Sequence, residues 1–390
     1  MARTLRTCVY DSSSEGERHA RVCRALFFGS RQTFYALKRV DAPFGAPSSA
    51  RPCWCGFTGT SSRYRAHYHQ TTPLQGCAPM CYSAQIEADY RRFVHEYGAI
   101  MSLDDFTRMV MEYFANPKMR VPKAMTAHFL ESPETEEEKK IAEVIRARMA
   151  ADEIALLQEL AKQTERLEKA QQSLAAKATK KAAEDARIAT NKIAAAKGKL
   201  EELKSTELKP RDSRIYPGWY APVMVMENGR RVVKPMRYQC RPAGKPAFYD
   251  EQYPGTYNAR RDNLRGFWKG QYGHTHGLVL VDAFYENVTG PDGKNVVLEF
   301  RPDPSQTLLV ACVWSHWRAT KPGEKDLLSF AIITDDPPPE IAEAGHDRCP
   351  IPIKPENIDA WLNPEPRDLH AVDAILEDKL RPYYAHRAAT

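Results

Sequence analysis

The chain has 390 residues, 43% of them hydrophobic, nine cysteines and a net charge of +6. That length allows at least one substantial core and two or three structural units. No run approaches about 18 uninterrupted apolar residues and no secretory signal pattern opens the sequence, which argues against a membrane span and makes the cytoplasm the expected location. Odd in number and irregular in spacing, the cysteines read as reduced thiols rather than a disulfide framework.

The charge is uneven. Residues 1–79 hold 11 Lys and Arg against 4 Asp and Glu, a net of +7, whereas the remaining 311 residues hold 45 against 46, a net of −1. Global charge therefore does not point to nucleic acid. The local pattern does: residues 230–269 contain 10 basic and 3 acidic residues, interleaved with Tyr238, Phe248, Tyr249, Tyr253, Tyr257, Phe267 and Trp268. Cations among stacking rings are what a groove for single-stranded nucleic acid requires.

In chain order, residues 1–79 show neither helical nor strand periodicity and read as an unstructured or untranslated extension. Cys53, Cys55, His67, His69 and Cys77 lack the spacing of a zinc finger, so no metal is expected. Residues 80–135 begin a globular domain, with helical patterns at Ser83–Tyr97 and after Ser102, where Ser102 and Asp105 suggest a capping pair. Residues 136–205 are dominated by Ala, Glu, Lys, Leu, Gln and Arg, with Leu160, Leu167 and Leu174 seven apart. This composition predicts a coiled-coil-like helical insertion, either one helix on the order of 100 Å long or a folded-back hairpin. Residues 206–390 resume the domain with strands at Gly277–Tyr285, Asn295–Phe300, Leu308–Trp314 and Ser329–Thr334. Short helices follow near Pro339–Ala344, Pro355–Leu362 and His370–Lys379. The expected class is α+β, with a β-rich, barrel-like core and flanking helices interrupted by the insertion.

Four segments occur in order: Met80-Cys81-Tyr82-Ser83-Ala84-Gln85, Tyr257-Asn258-Ala259-Arg260, Asp282-Ala283-Phe284-Tyr285-Glu286 and His346-Asp347-Arg348-Cys349-Pro350, followed by Asp359-Ala360-Trp361-Leu362. Each is weak alone; together they resemble the SOS-response-associated peptidase (SRAP) family over residues 80–130 and 210–365. Tyr82-Ser83, Asn287 and Ala344-Gly345 depart from the family's usual Gly-Arg, Trp and Pro-Ile at those places, and Arg237-Tyr238 from its Arg-Trp.

The resemblance implies a protein that senses abasic sites in single-stranded DNA in the DNA damage response and joins itself to them covalently. An N-terminal cysteine carries an amine and a thiol on adjacent carbons, both partly deprotonated near neutrality. The amine condenses with the aldehyde of the opened sugar, and the thiol closes a thiazolidine ring. Cys81 is the implied nucleophile, Glu286 a proton carrier, His346 an aid to sugar opening and Asn258 an orienting amide. Arg260 and Arg237 are implied DNA contacts, with Trp268 a stacking platform. No cofactor is implied, and the chain is expected to act as a monomer, associating with the nucleoid when bound to DNA and meeting any protein partner through the insertion.

Because this chemistry needs a free α-amine on Cys81, translation is expected to begin at Met80 or the leader to be removed by self-cleavage, the internal start being favoured. Lyase activity is compatible with the same groups. Two competing readings stand beside it: a thiol peptidase using Cys81 and His346, limited to self-processing, and a non-catalytic DNA-holding adaptor.

Overall fold

The computed structural model describes residues 83–116, 118–290 and 292–389. The leader, its Cys and His set, and Cys81 lie outside them.

The expected first helix splits in two. Residues Ser83–Ile86 form a strand, β1, because Ala84 and Ile86 bury the same face against the sheet. The helix, α1 (Tyr90–Tyr97), starts only after Asp89, whose carboxylate accepts the Arg91 N–H at 3.0 Å, and ends at Gly98 in the left-handed region. A two-residue strand, β2 (Ile100–Met101), leads to α2 (Leu103–Ala115) and α3 (Lys123–Glu131). Ser102 and Asp105 do meet, but hydroxyl to carboxylate at 2.6 Å, not as a cap on backbone N–H groups. Phe93, Phe106 and Phe129 from these helices share one buried cluster with Ile141, Ala142 and Ile145 of the next.

That next helix, α4, runs Glu136–Ala176 and folds back through Lys177–Thr179 into α5, Lys180–Lys204. Thr135 and Glu138 form the capping box that starts α4, and the buried Glu138 also accepts from Tyr90 at 2.6 Å, fastening the insertion to α1. The insertion is thus a hairpin. Along α5, Ala182, Ala189 and Ala196 are buried every seventh residue; on α4, Gln163 and Ala170 are buried while Leu160, Leu167 and Leu174 are half-buried. Small residues on α5 let the two helices approach closely, and Arg166–Asp185 and Glu153–Lys204 ion pairs bridge them. No helix among the described residues is long and apolar enough to cross a membrane.

The remainder is mostly sheet: β3 (Arg214–Ile215), β4 (Tyr220–Glu227), β5 (Arg230–Tyr238), a short helix α6 (Tyr249–Gln252), β6 (Asn258–Arg260), β7 (His276–Thr289), β8 (Asn295–Asp303), β9 (Leu308–Trp317) and β10 (Leu327–Asp335). After it come α7 (Pro339–Glu343), β11 (Cys349–Pro350), α8 (Ile358–Leu362), α9 (Leu369–Glu377) and β12 (Tyr383–Ala388). The β4–β5 hairpin, not anticipated from the sequence, turns at Asn228-Gly229, both with positive φ as a tight two-residue hairpin turn requires.

Strand β7 is the hub. Its first half pairs with β4 and β9, and its second half with β1 and β8. At Gly277, where β4 and β9 converge on it, a Cβ would stand 2.8 Å from Val223, so only glycine fits. Strand β9 also pairs with β10, which in turn runs parallel to β5 and β6. The pairings β10–β5–β4–β7–β9–β10 therefore close a ring within a mixed sheet, an α+β arrangement with a long helix at its side.

Behind the sheet, His276 and Trp361 lock α8 onto β7. The imidazole stacks on the indole at 4.0 Å, Nε2 accepts the Gly273 N–H at 2.8 Å, and Nδ1 lies 3.0 Å from the Trp361 carbonyl. With Nε2 accepting, Nδ1 carries the proton, so the ring is neutral; burial pushes its pKa down to about 3.

Candidate functional site

Glu286 and His346 come together. Glu286 sits near the end of β7 and His346 in the loop between α7 and β11; both side chains are sealed from solvent, with Nε2 to Oε2 at 2.9 Å. The other ring nitrogen faces the backbone of Arg348, whose N–H lies 3.3 Å and whose carbonyl lies 3.1 Å from Nδ1. A neutral ring accepts there and a charged ring donates there, so the imidazole can change its protonation without moving. Two residues past Ser83, counting backwards, is Cys81; Ser83 itself pairs directly with Tyr285, the neighbour of Glu286.

Asn258 and Arg260 lie on β6, which runs beside β10 with Asn258 opposite Ile332 and Arg260 opposite Thr334. Asn258 is 5% exposed, and neither of its amide atoms has a hydrogen-bond partner. A buried amide left unsatisfied costs on the order of 1–3 kcal/mol, so both amide atoms have hydrogen-bonding capacity to offer at this groove. Asn258 and Arg260 line an apolar groove of about 530 Å³ with Tyr253, Phe267 and Trp268. Trp268 is only 3% exposed and forms part of the floor; its face is not free for a base. The exposed rings are Tyr253 and Phe267, with Tyr249 between them at 4.2 Å and 6.4 Å.

Arg260 also lines a second, polar cleft of about 540 Å³ with Arg261, Thr334 and Arg348. Arg348 is 7% exposed; its Nε and Nη1 lack partners, as does the Thr334 hydroxyl. Its Nη2 pairs with Asp347 at 3.4 Å, which leaves two guanidinium N–H groups beside a hydroxyl, donors of the kind that suit an oxyanion. Arg348 lies within the His346 motif but was not singled out from the sequence, although an Arg two residues after a candidate His was the available signal.

Most other cations of residues 230–269 are already matched. Arg237 and Arg241 both bind Asp250, Arg231 binds Asp359, Lys234 binds Asp105 and Glu227, Arg261 binds Asp335 and Glu377, and Arg265 binds Asp373. Arg260 itself pairs with Asp262 at the surface. Asp250 and Asp262 are local, but Asp105, Asp335, Asp359, Asp373 and Glu377 come from distant parts of the chain, which is why a local charge count overstated the positive field.

Among the described cysteines, Cys240, Cys312 and Cys349 are all buried. Burial pushes the Cys240 and Cys349 thiols up to about 12 and Cys312 well above its ordinary value. None of the three can supply a thiolate near neutrality.

No curated protein matches the chain. Among solved structures, a protein from Bordetella bronchiseptica is 18% identical over 48% of this chain and 90% of its own, with a TM-score of 0.38. A protein from Bacteroides thetaiotaomicron is 15% identical over 46% and 78%, at 0.39, and a phage-related protein from Bordetella bronchiseptica 22% identical over 45% and 81%, at 0.34. The family model for SOS response associated peptidase (SRAP) matches residues 164–388, more than half of the chain and including Asn258, Glu286 and His346. The chain belongs to the SRAP family.

Proposed function

We propose that this protein recognises abasic sites in single-stranded DNA and captures them covalently through Cys81 as its N-terminal residue. At the level of the family, membership supports a DNA-damage function directed at abasic sites. The observation that carries the finer reading is the sealed Glu286–His346 pair at 2.9 Å, beside the point where β1 enters the sheet. Cys81 precedes Ser83 by two residues, a reach of about 7 Å of extended chain.

In this reaction the Cys81 amine attacks the C1 aldehyde of the ring-opened sugar, and loss of water gives an imine. The thiol then adds to the imine carbon while its proton passes to nitrogen, closing a five-membered thiazolidine with no change of oxidation state. Glu286 takes up and returns the protons of the amine step, and His346 protonates the leaving sugar oxygen. Asn258 hydrogen-bonds the sugar, and Arg348 and Arg260 hold flanking phosphates.

The test is crosslinking. Protein beginning at Cys81, incubated with an abasic single strand, is expected to give an adduct that survives denaturation without borohydride. No adduct above a Cys81→Ala control would end the proposal.

The peptidase reading is less well supported, because among the described residues the cysteines at 240, 312 and 349 are buried with thiols held protonated, and none can serve as its nucleophile. It reduces to self-processing ahead of Cys81.

A further inference from the structure

We infer that the distal half of the α4–α5 hairpin is a second DNA contact, an arm that holds the strand flanking the lesion. This inference rests on the DNA-binding reading above and extends it to a part of the chain that reading does not use.

The charges left over, once the fold has paired what it can, point to the hairpin. Around the candidate grooves, the arginines are largely matched by acids within the protein. Affinity for a phosphate backbone comes from cations that displace its condensed counterions, and an arginine already paired contributes little unless that pair breaks. The hairpin differs. Residues 162–199 contain ten Lys and Arg against four Asp and Glu, a net of +6, although the base of α4 is acidic from Glu136 to Glu138.

Four of these ten cations are paired: Arg166 with Asp185, Lys169 with Glu165, Arg187 with Glu184, and Lys192 with Glu159. The remaining six, Lys162, Lys177, Lys180, Lys181, Lys197 and Lys199, are exposed and have no ion-pair partner among the described residues. Three of them sit at the helix–helix turn. The six are spread over α4, the turn and α5, and no large hydrophobic side chain is exposed between residues 162 and 199 to give the apolar face that a protein-docking helix would require.

Geometry suits the role. Ion pairing between Glu153 and Lys204 marks where the hairpin leaves the core, and the 23 residues from there to Ala176 extend about 35 Å at 1.5 Å per residue. The Ala182, Ala189 and Ala196 seam holds the two helices together, so the lysines are presented on a stiff support.

The test compares protein beginning at Cys81 with the same protein in which all six lysines are glutamine. Abasic single strands of about 8 and about 40 nucleotides are used, the shorter filling only the core grooves. The variant is expected to bind the short strand like wild type. On the long strand it should bind roughly 10- to 100-fold more weakly, with a log–log salt slope shallower by about 2, the loss of about three single-strand phosphate contacts. The same loss is expected on a long strand without the lesion, which separates the arm from the crosslinking chemistry; crosslinking of the short strand by wild type reports on that chemistry alone. Equal affinity and equal salt slope of the two proteins on the long strands would overturn the arm and leave the lysines as a solvated face.

Discussion

Oε2 of Glu286 accepts Nε2 of His346 at 2.9 Å with neither side chain in contact with solvent. A pair so placed works as one unit. Glu286→Gln keeps the shape and one hydrogen bond but removes the proton acceptor, so the single-turnover rate of adduct formation is expected to fall by roughly 10²-fold or more. His346→Gln should give a similar loss, and the double variant little beyond either single one. Unchanged kinetics in Glu286→Gln would reduce the pair to a structural role.

Arg348 and Arg260 face the same cleft with opposite histories. Arg348 is buried with two unsatisfied nitrogens, whereas Arg260 is exposed and paired with Asp262. Substitution of either by Gln should make the salt dependence of binding shallower, by up to about 0.7 per phosphate contact on a single strand. The larger loss of affinity is expected from Arg348. Arg348→Leu should at the same time raise the Tm, because it removes a buried guanidinium whose single ion pair, to the half-exposed Asp347 at 3.4 Å, leaves Nε and Nη1 unsatisfied. Binding and stability measured on the one variant must move in opposite directions; a drop in both would mean that Arg348 supports the loop instead.

His276 should make the protein acid-sensitive well above the range of the carboxylates. Its folded pKa is pushed down to about 3, below the unfolded value of about 6.5, so between those limits the unfolded chain holds the extra proton. The contribution is fully present above pH 6.5 and is lost as pH falls, by up to about 1.4 kcal/mol per pH unit. Denaturant unfolding between pH 6.5 and 5 should show this slope in wild type. A His276→Gln variant, less stable at pH 7, should show a clearly smaller one.

The hairpin seam is tuned to small side chains. Ala189 is fully buried, and Ala189→Leu is expected to cost about 1–3 kcal/mol by overpacking. Protease cleavage within residues 153–204 should accelerate, while crosslinking of a short abasic strand stays unchanged. Equal protease resistance would show that the two helices are not held by this face.

What the sequence revealed follows from range. Strands β7 to β10 were legible because apolar runs between Gly, Pro and Asp carry their own signal, and the insertion because its composition is uniform over 69 residues from Glu136 to Lys204. Glu286 and His346 were chosen by motif, and their contact bridges 60 residues that periodicity cannot span. The β1 strand was misread as helix because its four residues gain extended structure only by pairing with β3 and β7. Charge was least legible. The cations of residues 230–269 form a cluster in sequence, yet Asp105, Asp335, Asp359, Asp373 and Glu377 neutralise them from elsewhere. Trp268 failed as a platform for a similar reason: its burial depends on the surrounding core, and its exposed neighbour Phe267 looks no different in sequence.

The last strand, β12, lies along β8 from Tyr383 opposite Asp303 to Ala388 opposite Leu298, and β8 in turn borders the stretch of β7 that carries Glu286. Only Tyr384 of β12 is buried, so the strand adds little to the core and acts chiefly as a cover for a row of backbone donors and acceptors. A chain cut at residue 382 would keep Glu286 and His346 yet bare a β8 edge that includes Val297, Leu298 and Phe300. Such an edge invites strand-by-strand pairing between molecules. Pairing by β12 therefore bears on whether the protein stays dispersed at high concentration, and a chain cut before Tyr383 is expected to self-associate where the intact strand does not.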